Sequence, residues 1–316
     1  MLLGEHSVVY GHPCLVTAVN QRIYVTVKTI TTPKIILNSP DLKIKNYQKE
    51  IKQLGQGELA KEVKFVEILI KNFREKFGLT TGLEINTHND FSTQFGFGSS
   101  SAVTVALALA LAKLFEIRLS KKQLFTLCYQ TILEIQGVGS GFDLAAAIWG
   151  GTIYYVMPAK IVKKIPVKNL PILVGYTGIK ADTATIVKDL AKRMEENPDL
   201  KNNFSKISQL VERAKLALSN RDFASLGELM TANHQLLKNL GVSSKELENL
   251  TQASLSAGAL GAKLSGAGGG DCMLAVYDKK DQSKSIEQAI TQVGGQIMLV
   301  KLNAPGAKIE NAQNNF

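Results

Sequence analysis

Phe95 to Ala110 reads FGFGSSSAVTVALALA, two glycines and three consecutive serines running straight into an apolar segment. The apolar run continues to Phe115 with only Thr104 and Lys113 breaking it. That is shorter than the roughly 18 to 20 residues a bilayer crossing needs, so the pattern predicts a helix buried in a protein core. Glycines and hydroxyls at a helix start let backbone N–H groups approach an anion, and the helix dipole favours negative charge there. Phosphate suits such a start. The lysine of the common P-loop is missing, and Ser101 stands where the dinucleotide fingerprint has its third glycine, so a different phosphate cradle is implied. A plain glycine turn before a buried helix is the alternative reading.

Two further stretches carry the same kind of signal. GVGSGFDLAAAIWGG, Gly137 to Gly151, sets Asp143 between a glycine-rich turn and an apolar segment. A carboxylate there can cap a helix, or it can take the proton of a hydroxyl during phosphoryl transfer. KLSGAGGGDCMLAV has four glycines among the five positions from Gly266 to Gly270, beside a strand. Glycine costs conformational entropy, so this density points to close backbone approach by a ligand. Two glycine loops, each ready to meet an anion, fit a nucleoside triphosphate better than coincidence, and a flexible turn is the plain reading of either loop alone.

The remaining composition narrows the class. With 316 residues, 45% of them hydrophobic, the chain can bury a large core and is expected to form two lobes. Cys14, Cys128 and Cys272 are too few and too scattered for a disulfide framework or a zinc cluster, and are expected to be structural thiols. The net charge of +10 comes from 37 basic residues spread along the chain, with no arginine-rich arm and no aromatic-basic module. The expectation is a basic surface biased toward anionic small substrates, with neither nucleic acid nor a membrane as partner. No signal-peptide pattern opens the sequence, so the cytoplasm is the expected compartment.

Alternation predicts a strand at 23–30, short strand-like segments are read at 34–37, 83–87 and 296–302, and apolar runs of β-type residues predict strands at 152–157, 161–165 and 172–176. Helical spacing predicts helices over 58–77, 121–134, 204–219, 223–239, 244–257 and 282–293, with Ser243 or Ser244 as a cap. The opening Met1, Leu2 and Leu3 read as a strand already under way, and the texture changes near residue 165, where a lobe boundary is expected.

The chain also begins with GEHSVVYGHP, Gly4 to Pro13. In isolation, a Glu-His pair is more often surface decoration than chemistry. With the two glycine loops behind it, the set resembles the GHMP kinases, which share an N-terminal glutamate motif, a central GxGSS loop and a C-terminal GAGGG loop. Within the family, GEHSVVYGHP is similar to the mevalonate kinases, as is MTANHQLLKNLGVS, Met230 to Ser243.

The resemblance implies an α+β protein of two lobes: a ribosomal-protein-S5-like N-terminal domain over residues 1–165 and a ferredoxin-like C-terminal domain over 166–316. It implies ATP and Mg²⁺ as cofactors, mevalonate as substrate, and a possible homodimer. Gly96, Phe97, Gly98, Ser99, Ser100 and Ser101, with Gly266, Gly268 and Gly269, would hold the ATP phosphates. Ser100 would also help hold Mg²⁺, and Asp143 would be the catalytic carboxylate. On the substrate side, His6 would donate a hydrogen bond to mevalonate with Glu5 orienting it. Thr177, Lys180 and Thr183 would line the acceptor pocket, a solvated loop charge being the alternative for Lys180.

Three departures from the family accompany the likeness. The family's opening strand carries a proline-glycine-lysine element whose lysine would fall two residues before Met1, so upstream residues are expected. The metal-binding glutamate that many mevalonate kinases place eleven residues before the aspartate is here Ile132. The nearest acid, Glu134, is turned about 200° around a helix from that position, which leaves it a weak metal ligand. GSGFD and GGGDC look more like phosphomevalonate kinase, the alternative activity, and a non-catalytic nucleotide-binding sensor is the alternative of a different class.

Overall fold

The structure is a computed structural model that describes residues 1–90 and 98–310. The chain divides into two compact units with interleaved boundaries. The first takes residues 1–20 and 151–304, and the second takes 21–90, 98–150 and 305–310. Residue 165 lies inside the first unit.

After strand β1 (Cys14–Thr17) the chain enters the second unit and forms β2 (Ile23–Ile30), β3 (Lys34–Ser39), β4 (Ile44–Glu50), helix α1 (Lys61–Phe77) and β5 (Gly82–Asn89). The sheet order is β2-β5-β3-β4, with β3 and β5 parallel and the other pairs antiparallel. Helices α2 (Ser99–Leu114), α3 (Lys121–Gln136) and α4 (Phe142–Trp149) follow. The apolar segment that opens the sequence analysis is α2, buried because it packs on β2 as well as on α1, α3 and α4. Helix α3 starts where Ser120 and Gln123 form a reciprocal capping box.

Strand β4 was not expected, because IKNYQKE is polar. It is an edge strand whose alternate residues Tyr47 and Lys49 both reach Glu67, a fully buried carboxylate on α1. Gly55 N–H donates to the same carboxylate at 3.1 Å. Burial of Glu67 is therefore compensated by several donors, as a carboxylate away from water requires.

In the first unit β1 joins β6 (Thr152–Val156) and β7 (Ile161–Ile165) in an antiparallel sheet. A second sheet has the order β11-β8-β10-β9, where β8 is Ile172–Tyr176, β9 Gly261–Ser265, β10 Cys272–Val276 and β11 Gln296–Met298. The helices are α5 (Thr183–Glu196), α6 (Asn202–Asn220), α7 (Phe223–Asn239), α8 (Lys245–Ser256) and α9 (Lys280–Gln292). One apolar core, with Leu3, Leu15, Val211, Met230, Leu264 and Met273 among its members, joins these layers.

The closing strand is shorter than its apolar run. Val300 N–H turns back onto the Met298 carbonyl at 3.0 Å, and beyond it Leu302 makes an isolated bridge to Val19 rather than a continued strand. Met1 to Leu3 form an isolated bridge, Leu3 to Leu15, in place of a strand. Ser244 is the cap of α8, accepting from Leu247 N–H, whereas Ser243 bonds Glu248. All three cysteines are buried thiols, none of them in a disulfide. No helix among the described residues is long and apolar enough to cross a membrane.

Candidate active site

In the second unit the chemistry gathers at two helix starts. Gly98, the N-cap of α2, has φ +74°, a conformation glycine adopts without penalty. A Cβ at this position would lie 3.3 Å from Cγ of Asp143, so the absence of a side chain lets the helix start and the carboxylate come together. Asp143 sits in the first turn of α4, behind the left-handed N-cap Gly141. It is not itself the cap. The serine-rich turn has no side-chain cap either, and its first ladder bond runs from Ala102 N–H to the Gly98 carbonyl at 3.0 Å. The N–H groups of Ser99, Ser100 and Ser101 therefore have no acceptor within the helix, as at any uncapped start. Gly96 and Phe97 lie outside the described residues.

Asp143 keeps exposed surface, yet protein atoms crowd its carboxyl, and this desolvation raises its pKa from 3.8 to about 6. A carboxylate with that pKa is ionised at neutral pH and basic enough to take a proton in a transition state.

Glu134 is held elsewhere. Lys71 on α1 donates to its Oε1 at 2.7 Å, and the ion pair is partly exposed. Ile132, two residues earlier, is buried, as the helical phase requires.

The first unit contributes a different cluster. Glu5 and His6 stand at a tight turn in which Ser7 N–H bonds the Glu5 carbonyl at 2.6 Å. His6, the central residue, has φ 59° and ψ −48°, a γ-turn conformation that costs on the order of 1 to 3 kcal/mol for a side chain of this kind. Its Nε2 donates to the Ala267 carbonyl at 2.8 Å, and burial holds its pKa below the ordinary imidazole value. The neutral ring has one N–H, so with Nε2 committed to Ala267 it offers Nδ1 as an acceptor. Glu5 is buried and does not bond the imidazole. Its Oε1 accepts from Lys263 Nζ at 2.5 Å and its Oε2 from Asn233 Nδ2 at 3.2 Å.

The last glycine loop follows β9 immediately. Gly269 N–H bonds the Val242 carbonyl and Asp271 N–H the Ile179 carbonyl, both at 2.8 Å. The N–H groups of Gly266, Ala267 and Gly268 have no acceptor among the described residues, which suits them to phosphate oxygens. Asp271 then organises the segment after β8. Its carboxylate accepts from Ala181 N–H at 3.2 Å and pairs with Lys180 at 3.4 Å, while its carbonyl receives Thr177 N–H at 2.9 Å. Thr177 is buried, whereas Lys180 and Thr183, the first residue of α5, are exposed.

The sequence reading assigns no role to Lys263 or Asn233, and it meets Asp271 only within GGGDC, as a likeness to phosphomevalonate kinase. Lys263 had a signal: a lysine inside the otherwise apolar strand GAKLS requires a buried partner.

Comparison with known proteins identifies the family. The GHMP kinases N terminal domain profile matches residues 64–151, and the GHMP kinases C terminal profile matches residues 213–296. The mevalonate kinase of Pyrococcus furiosus is 36% identical, over 98% of this chain and 96% of that protein. The solved Methanococcus jannaschii mevalonate kinase superposes with a TM-score of 0.81 at 26% identity, covering 95% of each chain. The L. major mevalonate kinase solved in complex with R-mevalonate gives 0.76 at 27% identity, covering 97% of this chain and 94% of that one. With likeness along the whole chain and all three motifs in family order, the protein belongs to the GHMP kinases, ATP-dependent phosphotransferases that act on an alcohol.

Proposed function

We propose that this GHMP kinase is a mevalonate kinase, transferring the γ-phosphoryl group of ATP to the primary hydroxyl of mevalonate to give 5-phosphomevalonate and ADP for isoprenoid synthesis. The observation that carries the phosphoryl-transfer part is the desolvated Asp143 carboxylate against Gly98 at the serine-rich helix start. The choice of mevalonate rests on the full-length likeness to mevalonate kinases.

The roles follow from chemistry. Phosphoryl transfer passes through a loose transition state, so alignment and charge neutralisation supply most of the acceleration. The N–H groups of Ser99 to Ser101 would hold phosphate oxygens of ATP, as would those of Gly266 to Gly268, with Gly269 shaping its loop. Mg²⁺ prefers oxygen ligands, keeps several waters and leans on substrate phosphates. The Ser100 hydroxyl fits that preference, and the described residues hold no cluster of three or more His, Cys, Asp or Glu that would bind a metal alone. Glu134, committed to Lys71, is a poor ligand.

Asp143 accepts the proton of the acceptor hydroxyl as its oxygen attacks the γ-phosphorus and the bond to the β,γ-bridging oxygen breaks. Lys180, exposed but paired with Asp271 at 3.4 Å, would share its ammonium between Asp271 and the mevalonate carboxylate, and Thr177 and Thr183 flank it in sequence. His6 Nδ1 can accept from a substrate hydroxyl. Soluble substrates on both sides of the reaction suit the cytoplasm.

The test is ADP release with Mg²⁺ and ATP, offering mevalonate and 5-phosphomevalonate separately, with the product identified by ³¹P NMR. Turnover of mevalonate alone is expected. Preference for 5-phosphomevalonate would assign the chain to the phosphomevalonate kinases, and ATP binding without turnover of either would make it a sensor.

A pH profile tests the base. Asp143 must be ionised to accept a proton, so kcat/KM for mevalonate should fall about tenfold per pH unit below roughly pH 6. An acid limb centred near pH 4 would mean that the carboxyl is not desolvated in the working enzyme.

A further inference from the structure

We propose that Lys263 is a positioning residue: its ion pair with Glu5 holds the γ-turn that aims His6, and through His6 the first half of the last glycine loop. The inference deepens the kinase reading above and rests on it for its kinetic readout.

Stability alone does not account for this pair. Lys263 and Glu5 are both essentially inaccessible to water. Two buried charges lose so much hydration that a well-packed apolar pair of similar size is often as stable or more so. The geometry points to a constraint. Glu5 is gripped at both carboxylate oxygens, by Lys263 and by Asn233, and cannot rotate. Lys263 is fixed in turn by its bond to the Leu264 carbonyl. Asn233 directs its amide N–H to Glu5 even though its own Oδ1, buried, has no partner among the described residues.

What this grip fixes is the turn itself. The Glu5 carbonyl closes the γ-turn by accepting from Ser7 N–H, and His6 occupies its unfavourable centre. Such a conformation persists only where the surroundings over-determine it. From there His6 reaches Ala267, four residues beyond Lys263 on the far side of Gly266. Lys263 and Ala267 thus bracket the start of the loop, and both are tied to the same dipeptide, Glu5-His6.

The experiment compares Lys263→Met with the double variant Glu5→Gln/Lys263→Met. The single variant leaves a buried carboxylate unpaired and should lower Tm. The double variant removes both charges and should recover most of that loss. A purely structural pair would recover activity together with Tm. A positioning pair would not: the double variant should keep kcat for mevalonate at least tenfold below wild type and raise KM for ATP as well, because the loop that His6 holds carries N–H groups for the phosphates. A readout independent of substrate comes from ¹⁵N NMR of the His6 imidazole. Its fixed Nε2–H tautomer should give way to an averaged one in the double variant. Asn233→Ser, which loosens the other carboxylate oxygen and spares the ion pair, should shift both readouts in the same direction by less. Wild-type kcat and an unchanged His6 signal in these variants would overturn the proposal. A wild-type protein inert toward mevalonate would instead overturn the kinase reading, leaving the imidazole signal to decide this one.

Discussion

Asp143→Asn should lower kcat by about 10³-fold, roughly 4 kcal/mol of transition-state stabilisation, while leaving ADP affinity within about threefold of wild type. The amide keeps the shape of the side chain and its place against Gly98, but it cannot take the hydroxyl proton. Stability should move the other way. The native carboxyl holds its proton up to about pH 6, whereas an ordinary aspartate releases it near 3.8. Between those values the folded state binds more protons than the unfolded state, so stability falls as pH rises through this window and is level above it. At neutral pH the ionised carboxylate is therefore a destabilising group, by an amount that its exposed surface keeps small. Removing its charge should leave Tm unchanged or slightly raised, measured by calorimetry beside the turnover assay. An inactive variant that had also lost several degrees would point to a structural role, and a variant with full turnover would remove Asp143 from the chemistry.

That opposition between activity and stability explains what the sequence could and could not reveal. Asp143 and the loops around Gly98 and Gly268 were legible because glycine and hydroxyl density is a local signal: it marks backbone that must bend or be approached. Helix α2 was legible because its apolar run is too long for an ordinary strand. Strand β4 was not, since the reason its polar residues form a strand is Glu67, on a helix further along the chain. Helix α5 was missed although its signal was present. Asp182 caps Thr185 N–H, and Ile186, Leu190 and Met194 recur every fourth residue. Its mostly charged exterior masked a narrow apolar stripe. The Lys263–Glu5 pair joins residues 258 positions apart, and no periodicity reports a contact of that range. The lone lysine in an apolar strand signalled that a partner exists, without saying which.

Gly268→Ala should be the most damaging single-carbon change in the first unit's loop. Gly268 has φ +87°, and a Cβ there would lie 2.0 Å from the Val242 carbonyl oxygen and 2.9 Å from its carbon. Both contacts are to backbone, so no side-chain rotation relieves them. The loop would have to lift from Val242, breaking the 2.8 Å bond from Gly269 N–H to that same carbonyl. A lost hydrogen bond, a strained φ and the displaced chain together cost on the order of 3 kcal/mol, and Tm should fall by roughly 6 to 12 °C. ADP affinity, read by calorimetric titration, should drop about 100-fold, near 2.7 kcal/mol, as the N–H groups of Gly266 to Gly268 lose their alignment. Gly266→Ala separates backbone strain from lack of space, because Gly266 has φ +101° but nothing within 4 Å of a Cβ. It should cost only about 1 kcal/mol of stability. Wild-type ADP affinity in Gly268→Ala would mean that this loop does not touch the nucleotide. The expected pattern divides the labour between the loops: Asp143→Asn spares nucleotide binding and loses the chemical step, whereas Gly268→Ala weakens binding and leaves the proton acceptor in place.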